Sequence, residues 1–317
     1  MRMIVSDLES PEVSEIAREI ASQPACWRAS AMLAAEVTDT LPSDGERVAA
    51  VGCGTSLFVA RAFAARREAA GKGETDAFAA SEFPFGRRYD AVVAITRSGT
   101  TTEVLRLLEQ SANGPRTVAI TADDGAPAVE VADRAVVIAF ANERSVVQTR
   151  FATSALALLR AALGEDLAGP ISDAEVALAM DATPEPTRFD RFTFLGHGWT
   201  VGIADEGALK LREAALVHSD AYPAMEYRHG PISLADERTF VWVLGSPDPA
   251  VGEDAEETGA TVRRATLDPM AELVMAQRLA VELAEARGLD PDRPRHLARS
   301  VVLSSSGAVA DDVPDRT

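Results

Sequence analysis

Three glutamates, an amine and two imidazoles fall within one short segment. It runs Glu206-Gly-Ala-Leu-Lys210-Leu-Arg-Glu213, then His218, then Glu226-Tyr-Arg-His229-Gly-Pro231. The whole chain has 4 histidines, so two here are a concentration. Groups of this kind can pass protons between the carbon and oxygen atoms of a bound sugar. At about 100° per residue, Glu206, Lys210, Glu213 and Val217 form one helical stripe, and Ala204, Ala208, Leu211 and Ala215 lie opposite, facing a core. Glu followed four residues later by Lys is also the favoured pair on any solvated helix face. The stripe alone therefore leaves both readings open. The histidines, Glu226 and the Gly230-Pro231 turn that follow shift the balance towards a proton-transfer site.

Such a site needs something to hold the sugar. Thr96-Arg-Ser-Gly-Thr-Thr-Thr102 stands between a short apolar run and a helical pattern. Unpaired N–H groups and the positive end of the helix dipole favour an anion there. Thr100-x-x-Glu103 also resembles a capping box, but a cap uses one hydroxyl and this loop offers many. The turn Gly52-Cys-Gly-Thr-Ser56 has the same position and a weaker form of the same chemistry. It lacks the Lys of a nucleotide P-loop and the third glycine of a dinucleotide fingerprint. No cofactor is expected.

The elements that must position these residues alternate. Residues 10–40 read as helical, with a break at Pro24. Strands are expected at 47–51, 90–95, 117–121 and 135–140, with helices after the first two and a further helix at 146–163. Gly164, Gly169-Pro170 and Pro184-Glu-Pro186 mark a linker holding one short helix. The pattern then restarts with a strand at 192–195, Gly196-His-Gly198 and a long helix to about Val217. Strands at 240–244 and 261–266 and a helix at 271–287 follow. The acidic run Glu253–Glu257 reads as a solvated helix face. Strands alternating with helices imply an α/β fold of parallel sheets covered on both faces. The expected division is a helical segment 1–40, a first domain 41–165, a linker 166–190, a second domain 191–303, and a tail 304–317 that frays.

Composition excludes several classes. Of the 317 residues 47% are hydrophobic and 25% charged, as in an ordinary globular protein with a sizeable core. The net charge of −18 argues against a nucleic-acid partner, although a local cradle can still bind one phosphate. No apolar run is long enough to span a membrane, and the N-terminus lacks the apolar core of a secretory signal. Cys26 and Cys53 form no disulfide framework and have no metal-ligand spacing, so no metal site is expected and a reducing cytoplasm fits.

In order along the chain, Gly-Cys-Gly-Thr-Ser, Ser-Gly-Thr-Thr, Glu-Gly-Ala-Leu-Lys-Leu-Arg-Glu, His-Gly-Pro and Asp292-Arg-Pro-Arg-His-Leu-Ala-Arg-Ser300 resemble the sugar isomerase (SIS) domain family. The resemblance runs from about residue 15 and is strongest to the tandem isomerase half of glucosamine–fructose-6-phosphate aminotransferases. It implies two tandem doubly wound SIS domains. It implies phosphate and sugar contacts from Ser56, Thr96, Arg97, Ser98 and Thr101. Glu213 is implied as the base working between C1 and C2, with Lys210 and Glu206 beside the sugar oxygens. His229 is implied as the ring-opening acid–base, reaching the partner subunit's site in an obligate homodimer. No counterpart of the glutaminase half and no N-terminal Cys nucleophile is expected. Three residues depart from the aminotransferase pattern: Arg97 for Gln, Gln148 for Ser and Arg299 for Lys. Arg97 adds a charge suited to a bidentate phosphate grip, and Arg299 stays protonated and makes a poor imine nucleophile.

The expected activity is isomerisation or deamination of an amino-sugar 6-phosphate. The alternatives are elimination of the C3 oxygen from an N-acetylamino-sugar 6-phosphate, and a non-catalytic sugar-phosphate sensor. A sensor would ordinarily carry an additional interaction domain, and it has no use for Glu206, Lys210, Glu213 and His229 together.

Overall fold

The computed structural model describes residues 13–183 and 185–303. Two helices come first, α1 (Glu15–Ala21) and α2 (Gln23–Glu36). A five-stranded unit follows: β1 (Val48–Gly52), α3 (Thr55–Ala69), β2 (Thr75–Ala79), β3 (Ala91–Ile95), α4 (Thr102–Gln110), β4 (Arg116–Thr121), α5 (Pro127–Val131), β5 (Arg134–Val137) and α6 (Arg150–Ala162). After α7 (Ala168–Ala177) a four-stranded unit repeats the plan: β6 (Arg191–Gly196), α8 (Thr200–Ala215), β7 (His218–Pro223), β8 (Thr239–Val243), α9 (Ala250–Glu257), β9 (Thr261–Arg264) and α10 (Pro269–Ala286).

The sheet orders are β2-β1-β3-β4-β5 and β7-β6-β8-β9, and every pairing is parallel. The second order is the first without its last strand, so the restart read from the sequence is a structural repeat. Alternation along the strands explains how each sheet is covered on two faces. In the first sheet, Val48, Ala50, Val93, Ile95, Val118 and Ile120 face one large core with α2, α3, α6, α8 and α10, and that core also takes Phe192, Phe194, Phe240 and Trp242 of the second sheet. Ala49, Val51, Val92, Ala94 and Ala119 face a smaller core with α4. Helices α3, α6, α8 and α10 therefore lie between the two sheets, and the two halves share one interior.

Three expectations shift. The strands β2 and β7 were not foreseen. Each is the same edge of its sheet and mostly half-buried or exposed, and β7 ends at Pro223; an edge strand needs no long apolar run and tolerates proline. The fourth strand of the first sheet stops at Val137, and residues 139–141 form a 3-10 turn. The helix expected from residue 146 begins at Arg150, because Glu143 Oε1 accepts from the N–H groups of Thr149 (2.6 Å) and Arg150 (2.7 Å) and fixes its start there. The tail 304–317 lies outside the described residues. In the expected acidic run, Glu253, Glu256 and Glu257 are exposed on α9.

Candidate active site

The stripe on α8 is not a solvated face. Glu206 and Lys210 are each 1% exposed, because α8 is packed between α3 and α10. Glycine makes that approach possible: a Cβ on Gly202 would lie 2.4 Å from the Phe58 carbonyl oxygen of α3. The close crossing brings Thr55, the first residue of α3, to the charged stripe. Lys210 Nζ donates to Thr55 Oγ1 (3.0 Å) and Glu213 Oε2 (2.6 Å) and lies 3.3 Å from Glu206 Oε1. The Thr55 hydroxyl donates in turn to Glu206 Oε1 at 3.3 Å. Glu213 is the more open end, with 19% of its side chain exposed.

Burial decides the protonation of Glu206. Desolvation pushes its carboxyl up to about 7, against the opposing pull of Lys210. Burial alone would lower the Lys210 ammonium, but the Glu206 and Glu213 carboxylates outweigh it and hold that group above its ordinary value. A protonated lysine thus stands between a carboxyl that exchanges its proton near neutrality and a partly open carboxylate. This arrangement can relay protons to a ligand lying beside Glu213.

The hydroxyl loop follows β3 and leads into α4. Gly99 has φ +62° and a Cβ there would lie 2.4 Å from the Ala126 Cβ, so the sharp turn needs glycine. The capping reading finds no support, since Thr101 occupies the N-cap without a side-chain cap bond. Instead Thr100 Oγ1 donates to Ser98 Oγ (2.9 Å) and Ser300 Oγ (2.8 Å). Ser98 Oγ also donates to Ser300 Oγ at 3.1 Å. Ser56 is buried in the first turn of α3.

Three buried oxygens on the candidate site residues find no hydrogen-bond partner among the described residues: Thr96 Oγ1, Gln148 Oε1 and Glu206 Oε2. An unpartnered buried polar atom costs about 1–3 kcal/mol, and a polar ligand would relieve that cost.

Arg97 differs from the expectation of a bidentate phosphate grip. Its guanidinium is 2% exposed, with one terminal nitrogen donating to the Ser145 (2.9 Å) and Val146 (3.1 Å) carbonyls and the other to the Arg299 carbonyl (2.7 Å). Arg299 itself turns its side chain to Asn142 Oδ1 at 2.7 Å. His229 is exposed at the end of a 3-10 turn, Ala224–His229, and His218 and Glu226 are exposed as well. Within this chain no hydrogen bond or ion pair among the described residues joins His229 to Glu206, Lys210 or Glu213. The sequence motifs gave no role to Thr55, Glu143, Asn142 or Ser300. Thr55 sits beside Ser56 in the glycine turn and Ser300 ends the Asp292–Ser300 motif, so both were within reach of that reading; Glu143 and Asn142 carry no periodic or motif signal.

Residues 43–163 match the family model of the SIS domain. That segment, the first of the two sheet units, is similar to an SIS domain. The fold of the chain is phosphosugar-isomerase-like and closely resembles the isomerase portion of the aminotransferase and deaminase members. Among curated relatives, a glutamine–fructose-6-phosphate aminotransferase (isomerizing) of Methanothermobacter thermautotrophicus is 27% identical over 90% of this chain and 57% of its own length. That of Xanthomonas campestris pv. campestris is 29% identical over 86% and 54%. The chain thus spans about half the length of these relatives. Glucosamine-6-phosphate deaminase of Thermotoga maritima superposes with TM-score 0.76 at 26% identity, covering 92% of this chain and 100% of that one. Tagatose-6-phosphate ketose/aldose isomerase of Escherichia coli shares the fold at 19% identity, with TM-score 0.76 over 88% of this chain and 94% of that one. No helix among the described residues is long and apolar enough to cross a membrane.

Proposed function

We propose that the protein is a phosphosugar isomerase or deaminase acting on an amino-sugar 6-phosphate such as glucosamine 6-phosphate. The observation that carries this reading is the buried Thr55–Glu206–Lys210–Glu213 network, which leaves only Glu213 partly open. The likeness to glucosamine-6-phosphate deaminase over the full length of that enzyme supports the amino sugar.

In this mechanism the phosphate docks on Thr96, Ser98 and Thr101 in the loop before α4 and on Ser56 at the start of α3, which fixes the register of the sugar. His229 of a partner subunit assists ring opening, which frees the C1 aldehyde. Glu213 removes the C2 proton, and the electron pair moves to give an enolamine with the negative charge relieved at the C1 oxygen. Lys210 supplies the positive charge beside that oxygen. Return of the proton to C1 gives a C2 imine, which water hydrolyses to a ketose 6-phosphate and ammonia. With a hydroxyl in place of the amine at C2, the same steps interconvert aldose and ketose. Positioned acid–base groups contribute about 10²–10⁴-fold each. Gln148 and Arg299 border the substrate from the loop before α6 and from the C-terminal segment. Two unpaired cysteines suit a cytoplasmic enzyme.

The test is incubation with hexose and hexosamine 6-phosphates in D₂O, followed by NMR of the products. Deuterium at C1 with release of ammonia is the expected result for glucosamine 6-phosphate. An unsaturated product would replace this reading with elimination, and inertness towards the whole panel would reject catalysis in favour of sensing.

A further inference from the structure

Arg97, Gln148 and Arg299, the three departures from the aminotransferase pattern, meet in one place. Arg97 binds the carbonyl of Arg299 and the carbonyls of Ser145 and Val146, and the same loop carries Gln148. Glu143 stands at the centre of this contact. Its Oε2 lies 3.6 Å from an Arg97 terminal nitrogen, with both side chains at most 1% exposed, and its Oε1 accepts from Thr149 N, Thr149 Oγ1 (2.9 Å) and Arg150 N. A guanidinium neutralised by a buried carboxylate, with both terminal nitrogens on carbonyls, is poorly placed to grip a phosphate. It is well placed to fix backbone. The segment it fixes lies along the hydroxyl loop: Ser300 meets Ser98 and Thr100, Thr102 N donates to the Val301 carbonyl (3.2 Å), and Leu303 N donates to Thr102 Oγ1 (2.9 Å).

We propose that Arg97 and Glu143 are a positioning pair that clasps residues 299–303 across the hydroxyl loop, so that the phosphate is held by hydroxyls and amides and the clasp sets how closely the chain shuts over the sugar. The inference rests on reading residues 96–102 as the phosphate cradle. It makes Arg97 a selector of loop geometry rather than a ligand.

Removing one partner of a buried pair leaves a bare charge and endangers folding. The decisive variant is therefore the doubly neutral R97M/E143Q, with R97K in the native Glu143 background as the conservative rescue. Hydrogen–deuterium exchange of the full chain without substrate reads the clasp directly. Amides in 299–303 should exchange at least about tenfold faster in R97M/E143Q, the loss of one or two hydrogen bonds. The β3 and β4 peptides should not change, and R97K should recover part of the protection. Titration with inorganic phosphate should show an affinity within about fivefold of wild type, a difference under about 1 kcal/mol. With any sugar phosphate the wild type turns over, KM should rise more than kcat falls. Unchanged exchange at 299–303 overturns the clasp, and a loss of phosphate affinity beyond that fivefold range makes Arg97 a direct ligand and also overturns it. Exchange and phosphate binding need no turnover. A chain inert towards every sugar phosphate would therefore refute the proposed activity and still leave the clasp tested.

Discussion

Lys210 divides its ammonium among Thr55, Glu206 and Glu213, and this sharing separates the two carboxylates of α8. Glu206 is sealed in, with one oxygen unpartnered, and Glu213 faces the opening. If Glu213 takes the proton from carbon, Glu213→Gln should abolish turnover and keep substrate affinity within about tenfold, since the amide still fills the space. Turnover kinetics beside calorimetric binding would show this, and undiminished turnover would remove Glu213 from the base role. Glu206 leads to a stability prediction. Its carboxyl is raised from 4.5 to about 7, so the folded state favours the protonated form. The stabilisation is complete below about pH 4.5 and is lost as pH rises through about 7, by on the order of 3 kcal/mol. Glu206→Gln is neutral throughout, so the wild type should lose stability relative to the variant between pH 4.5 and 8. Urea unfolding of both at the two pH values measures the difference, and a flat difference would contradict the assignment.

At the scale of elements, the site depends on how α8 lies on α3. Alanine at Gly202 would gain about 1 kcal/mol of helix propensity, but its Cβ would meet the Phe58 carbonyl oxygen at 2.4 Å and the Ala62 nitrogen at 2.8 Å. Overpacking of that kind costs about 1–3 kcal/mol, so Gly202→Ala should destabilise the protein and slow turnover by drawing Thr55 away from Lys210. Denaturation midpoints decide the sign: a stabilised variant would mean that the helices part without consequence. The central strands and long helices were legible because β1, β3, β4, β6 and β8 are apolar runs and α8 and α10 are long periodic segments. The edge strands β2 and β7 were not, because each buries a single residue and so leaves no continuous apolar run to read. The start of α6 was hidden for another reason: Glu143, a carboxylate outside the helix, fixes it.

For the whole molecule, the proposed role of the exposed His229 is the one that calls for a second chain. In the proposed dimer it serves the neighbouring subunit, and this has a direct test. Mixing inactive Glu213→Gln with inactive His229→Ala, after exchange of subunits, should restore about a quarter of the wild-type sites, because half the dimers are mixed and each has one intact pair. Activity assays of the mixture against each parent would show it. A mixture no more active than its parents would place His229 in its own chain's site or outside catalysis.

The sequence determined the α/β plan, the repeat of strand, glycine turn and helix, and the residue types at the loop after β3 and along α8. Those features are local, written in periodicity and turn chemistry. It left open whether the Glu206–Lys210 stripe faced water, because a Glu and a Lys four residues apart look the same on a solvated helix and in a site. Tertiary structure decided this by burying both residues against α3 and supplying Thr55 from the other half of the chain. It also turned Arg97 from a free charge into one matched by Glu143 and tied to the Arg299 carbonyl. A side chain's partners depend on which distant segments pack around it, and spacing along the chain carries no record of that.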